Sequence, residues 1–109
     1  MRVVRYSVTA EQNFLALLQQ GADKFGVGVA AEKRRLLIDC VNDYLTVYPH
    51  HGLRTRGKPF LHYPVQYTPF TIVYEYDDKE LRILFILHKR ADRQQLDLTD
   101  VTWLSDKQQ

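Results

Sequence analysis

The stretch FTIVYEYDDKELRILFILH, from Phe70 to His88, decides the fold. Its first run alternates: Phe70, Ile72, Tyr74 and Tyr76 share one face of a strand, and Thr71, Val73, Glu75 and Asp77 share the other. DDKE has the composition of a tight turn. LRILFILHK then returns, apolar on both faces from Ile83 to Leu87, which marks a strand covered on both sides and central in its sheet. That strand ends in His88, Lys89 and Arg90, three side chains able to carry positive charge. Either the strand simply leaves the sheet there, or the sheet delivers these groups to a partner.

Upstream, FLHYPVQY reads as a short strand whose Pro64 calls for a sheet edge or a bulge. HHGLRTRGKP before it is a loop by composition. Two amphipathic helices precede the loop. The first spans about 10–25, with Phe14, Leu17, Leu18, Ala22 and Phe25 on one face and a capping box from Thr9 to Gln12. Gly26 and Gly28 break it. The second spans about 29–47, carries Leu37, Cys40, Val41, Tyr44, Leu45 and Tyr48 as its buried stripe, and is ended by Pro49. RVVRYSV at the start reads as a first strand. The tail from about 96 to 109 is polar, a short helix or an irregular wrap anchored by Leu96, Leu98 and Trp103. The expected order is β-α-α-β-β-β. This is an α+β fold, a helical hairpin packed on a mainly antiparallel four-stranded sheet.

At 109 residues and 45% hydrophobic content, the chain is expected to form one domain with a core that needs no metal or disulfide. Cys40 is the only cysteine, which excludes an internal disulfide and a cysteine-based zinc cluster. It falls in an apolar helical pattern, as a core thiol would. No apolar run approaches ~20 residues, so no membrane span is expected. MRVVRYSV has no apolar signal-peptide segment, and the expected location is cytoplasmic.

The net charge is only +2, but its distribution is uneven. No Asp or Glu occurs from Tyr44 to Tyr74, where Arg54, Arg56 and Lys58 lie with His50, His51 and His62. Such a patch fits an acidic partner, and equally a solvated loop. Ser7 and Ser105 have no context for a Ser-His-Asp set, and four histidines without helical spacing point to no metal site. What remains is cations, one imidazole and phenols near strand ends: Arg82, His88, Lys89 and Arg90, with Tyr63, Tyr67 and Tyr76 on neighbouring strands. Cations for phosphate, phenols that stack on bases and an imidazole for proton transfer could cleave RNA. The same groups could dock on an acidic protein, and each tyrosine also suits ordinary strand packing.

In order, HYPVQY, FTIVYEYDD, LRILFILH and KRAD resemble the late segments of the RelE/ParE superfamily of bacterial type II toxins. VYPHHGLR resembles that family's helix end, and the likeness runs from Val3 to about Leu98. Where many ParE-like chains carry Arg three residues before the strand proline, this chain has Leu61. The strand from Phe70 to Asp77 lacks the Lys and Arg common in ribosome-dependent RelE members. The resemblance therefore implies, first, a ParE-like toxin that inhibits growth by binding DNA gyrase and is neutralised by a cognate antitoxin. A target-binding rim of Arg54, Arg56, Lys58, His88, Lys89, Arg90 and Arg93 would go with it. Antitoxin contacts would fall on exposed parts of Phe14, Leu18 and Leu45, with Tyr67. The alternative is a ribosome-dependent mRNA endonuclease with His88, Arg82 and Tyr76 in the catalytic roles. A third reading is a non-toxic interaction domain. None of these requires a cofactor or a metal.

Overall fold

In a computed structural model, the structure describes residues 2–98 and 101–103. Strand β1 (Val3–Tyr6) is followed by helices α1 (Val8–Phe25) and α2 (Val27–Asp39), and then by strands β2 (Leu53–Arg54), β3 (Leu61–Pro64), β4 (Phe70–Tyr76) and β5 (Glu80–His88). The sheet order is β1-β5-β4-β3-β2. The fold is α+β, as expected, but the sheet has five strands rather than four. The extra one is the two-residue β2, which pairs Leu53 with His62 and Arg54 with Leu61. Two residues inside a cation-rich loop carry no readable alternation, so composition alone hides this edge strand.

β5 lies between β1 and β4, the central position its sequence requires. β4 and β5 form the antiparallel hairpin, whereas β1 runs parallel to β5, from Val3↔Glu80 to Tyr6↔Ile83. A parallel neighbour needs a long crossover, which the chain between these strands supplies. The β4–β5 register shifts between Val73, opposite Phe85, and Tyr74, opposite Ile83. Leu84 is the extra residue of this bulge. As a result Leu84 and Phe85 both face away from the helices. There they pack with Phe60 and Val73, while Ile83 and Ile86 join the core under the helices.

Ser7 connects the bulge to the first helix. Its hydroxyl donates to the Leu84 carbonyl at 2.6 Å and accepts the Ala10 N–H at 2.9 Å. One buried hydroxyl thereby caps α1 and satisfies a carbonyl at the irregular position of β5. The expected capping box at Thr9 and Gln12 is thus corrected to Ser7, because α1 starts at Val8. The end of α1 is Gly26, whose φ of +99° is open to glycine at little cost.

α2 continues without a break into a π-helical turn, Cys40–Leu45. Pro49 does not end the helix. It opens a 3-10 turn, Pro49–His51, after the helical chain has already stopped. The widened turn still points Val41 and Leu45 into the core, but it leaves Tyr44 half-buried and Tyr48 45% exposed, so Tyr48 is not part of a buried stripe. Cys40 is half-buried against the core, and burial pushes its thiol up to about 11. Phe14 and Phe70 meet edge to face, with centroids 5.6 Å apart, and tie α1 to the start of β4.

The second face of the sheet is covered by the tail. A 3-10 turn, Arg93–Gln95, precedes it, and Val101 N–H donates to Leu98 O at 3.3 Å. Leu96, Leu98, Val101 and Trp103 pack on Phe60, Val73, Leu84 and Phe85. These are the anchors the sequence points to, with Val101 added. Residues 99–100 and 104–109 of the tail lie outside the described residues. None of the described helices is long and apolar enough to cross a membrane.

Candidate functional site

His88 stands exposed at the end of β5, opposite Phe70. A tight turn follows. Lys89 N–H donates to Pro69 O at 2.7 Å, Ala91 N–H to His88 O at 2.9 Å, and Arg90 N–H to His88 Nδ1 at 3.1 Å. With Nδ1 accepting, the neutral ring carries its proton on Nε2. Lys89 and Arg90 are exposed and, among the described residues, unpaired with any carboxylate. Asp92 is structural: its side chain accepts Gln94 N–H at 2.9 Å and caps the 3-10 turn. The rim at the end of β5 is therefore a display of cations on a rigid turn.

The RNase-type trio does not come together. Tyr76 pairs with Leu81 at the hairpin end of the sheet, and His88 pairs with Phe70 at the other end. Arg82 stands six residues before His88 on one strand, about 20 Å away at the usual strand rise. Arg82 and Tyr76 also lie on opposite faces. Arg82 is further committed to three carboxylates, Glu75 at 3.0 Å, Asp77 at 2.8 Å and Glu80 at 3.0 Å. The Arg82 guanidinium and the Lys79 and Glu80 amides hold the Asp77 carboxyl well below the usual range. His88, Arg82 and Tyr76 occupy three separate positions: an exposed rim group, an ion-paired strand residue and a ring beneath the Arg2 guanidinium at 5.2 Å.

Two other cations of the expected rim are each engaged with a neighbouring segment. Lys58 Nζ donates to Leu96 O at 3.2 Å, which joins the loop to the tail. Arg93 faces His62, whose Nδ1 is 2.8 Å from Thr55 Oγ1. Burial first, and the Arg93 charge second, push the His62 imidazole below its ordinary value. A base with a depressed folded pKa contributes stability above the unfolded pKa and loses it as pH falls through the folded one. We expect stability to decline below about pH 6.5. Arg93→Gln should move the His62 titration part of the way back, as followed by NMR. An unchanged His62 titration in that variant would remove Arg93 as a cause. Arg54 and Arg56 are exposed with no carboxylate partner among the described residues.

An apolar groove lies where the helical hairpin overhangs the turn from β3 to β4. Leu17, Leu18, Gly21, Phe25, Val29 and Phe70 line it, with Lys33 at its side. It continues into a cleft of about 580 Å³ that reaches His88. Phe25 is 67% exposed, Val27 77% and Tyr67 80%. Tyr67 has a φ of +64°, unusual for a bulky residue. It is held there by Thr68, whose hydroxyl donates to Val65 O at 2.9 Å, and by Lys33 Nζ, which donates to Tyr67 O at 2.5 Å. Of the four residues expected to form an apolar contact surface, Leu18 lines this groove and Tyr67 stands beside it. Phe14 is 8% exposed and Leu45 fully buried, so both belong to the core instead. Their helical spacing reads the same for either role.

A ring cluster at the other end of α2 is not evident from the sequence. Tyr48 and His51 stack at 5.0 Å with 5° between their planes. His50 meets His51 at 4.5 Å and Tyr44 meets Tyr63 at 5.5 Å. The Tyr44 hydroxyl is hydrogen-bonded to His51 Nδ1. The pattern Tyr44-x3-Tyr48-x-His50-His51 carries the signal, but it reads as a helix end plus a loop until the π-helical turn is known.

No family model and no curated protein matches the chain. Among solved structures it is similar to a chain of the chromosomal ParDE TA system from P. aeruginosa. That match has a TM-score of 0.69 and 18% identity over 81% of this chain and 96% of that one. At this identity the likeness is one of fold, and the chain has a RelE/ParE-like fold.

Proposed function

We propose that the chain is the toxin of a type II toxin–antitoxin pair. In this reading it acts in the cytoplasm, inhibits growth by docking on DNA gyrase, and is neutralised by a cognate antitoxin. The ParDE fold likeness supports the toxin class. The observation that favours docking over cleavage is the roughly 20 Å between Arg82 and His88, with Arg82 neutralised by three carboxylates. An acid–base pair must reach one reacting atom together, whereas a docking rim needs only displayed charge. His88, Lys89, Arg90 and Arg93 supply that charge, with Arg54, Arg56 and Lys58 on the loop. The antitoxin segment occupies the apolar groove beside Tyr67, folding on contact as disordered segments do.

Expression in a bacterium tests this. The expected result is filamentation with translation intact, and loss of supercoiling by purified gyrase in the presence of the chain. Translation arrest with cleaved mRNA would instead establish the RelE-type nuclease, and normal growth a non-toxic interaction domain. Within the toxic outcome, His88→Ala should keep most of the toxicity, while joint removal of Lys89, Arg90 and Arg93 should lower it by an order of magnitude or more. Loss of charge complementarity slows encounter, whereas general acid–base help is worth about 10²–10⁴-fold only to an enzyme. Circular dichroism would show that both variants fold.

A further inference from the structure

We infer that the ring cluster at the end of α2 is a stacking site for an unpaired nucleobase, with Arg54 taking the adjoining phosphate. Its ligand would be a single-stranded nucleic acid. This goes beyond the docking reading and does not depend on it.

Three observations converge. Tyr48 and His51 stack in parallel at 5.0 Å, and both side chains are exposed. Aromatic platforms of this kind bind bases with little sequence preference, because every base has a π-face. The platform is also braced by its neighbours. Tyr44 contacts Tyr48 at 5.4 Å and His51 at 5.5 Å, is hydrogen-bonded to His51 Nδ1 and packs on Tyr63 at 5.5 Å. Pro49 is held by the Tyr74 hydroxyl at 2.5 Å. A braced ring loses little freedom when a ligand arrives.

The charge is of the right sign and on the right side. Arg54 pairs with Leu61, which packs on the helix side of the sheet, as does Tyr63 two residues on. Paired residues share a face, so Arg54 projects to the side that carries the rings. Arg54 has no carboxylate partner among the described residues, and no Asp or Glu occurs in the sequence from Tyr44 to Tyr74. A stacked ring pair on the same side of the sheet as an uncompensated guanidinium fits a base followed by its phosphate better than it fits an acidic peptide, which has no flat π-face to offer.

The test uses the full chain and a fluorescent oligonucleotide of about eight unpaired nucleotides, as DNA and as RNA, read by anisotropy. A duplex of the same length is the control. The expected result is single-strand binding that weakens about tenfold in Tyr48→Ala, a change that removes a ring but no charge. Tyr48→Phe should retain it. Arg54→Ala should weaken it and flatten its salt dependence. Equal binding by wild type and Tyr48→Ala, or equal binding of single strand and duplex, would overturn the inference and leave only non-specific attraction. No binding at all would overturn it too. Because gyrase inhibition is read separately, failure here does not touch the docking reading. Tyr48 is 45% exposed, so its replacement should leave the fold intact, as circular dichroism would check.

Discussion

Truncation after Gln95 should cost the domain about 4 kcal/mol, which for a chain of this size lowers the melting temperature by roughly 20 °C. The loss comes from the far face of the sheet. Leu96, Leu98, Val101 and Trp103 are each partly buried against Phe60, Val73, Leu84 and Phe85. Complete burial of such side chains is worth about 1.5–3 kcal/mol apiece, and about 1 kcal/mol each is a fair share for partial burial. The tail also closes backbone groups. Thr102 O accepts the Val8 N–H at 2.7 Å, one of the first amides of α1, which has no partner within its own helix. Arg5 lies over the Trp103 ring at 5.3 Å. Removing the tail would bare an apolar sheet face next to this cation, and such patches drive self-association. Thermal unfolding, with binding of a hydrophobic dye, measures both effects. A melting temperature within about 3 °C of the full chain would show that the tail contributes little.

Gly52→Ala should destabilise the chain by about 2–3 kcal/mol through overpacking alone. The backbone at Gly52 has φ −67° and ψ +159°, which any residue adopts, so no conformational penalty applies. Space is the reason for glycine. A Cβ there would stand 2.0 Å from the Tyr74 hydroxyl oxygen and 2.7 Å from its Cζ. Tyr74 cannot move aside, because it is fully buried and its hydroxyl donates to Pro49 O at 2.5 Å. Tyr74→Phe alone should cost about 1–2 kcal/mol, since it leaves the Pro49 carbonyl without its donor. The double variant should be more stable than the sum of the two, because the atom that clashes most is gone. Additive costs in urea denaturation would mean that the contact does not limit this site. The same contact accounts for Pro49 and Gly52 in the stretch VYPHHGLR: they fit around a tyrosine from the middle of the sheet.

The sequence by itself determined the elements whose signals are long and periodic. The two-sided apolar run from Ile83 to Leu87 marked β5 as central, the alternation in Phe70–Tyr76 marked its hairpin partner, and the helical stripes marked the hairpin above them. The three tail anchors were legible because an isolated Leu or Trp in a polar segment has few uses other than packing. These signals are local, since each depends only on which face a residue takes within its own element.

Tertiary structure decided the rest, wherever one residue's role depends on a distant one. Ser7 rather than Thr9 caps α1 because the bulge at Leu84, 77 positions on, offers it a carbonyl. Leu45 and Phe14 read as contact residues, yet the sheet buries them. Arg82 reads as a strand-end cation, but the turn that brings Glu75, Asp77 and Glu80 around it turns it into a structural hub. The ring cluster forms where Tyr44, inside the π-helical turn, and Tyr48, just beyond it, meet His51. Bulges, turns and side-chain meetings of this kind are set by packing free energy between elements, which has no period along the chain and so leaves no local pattern to read.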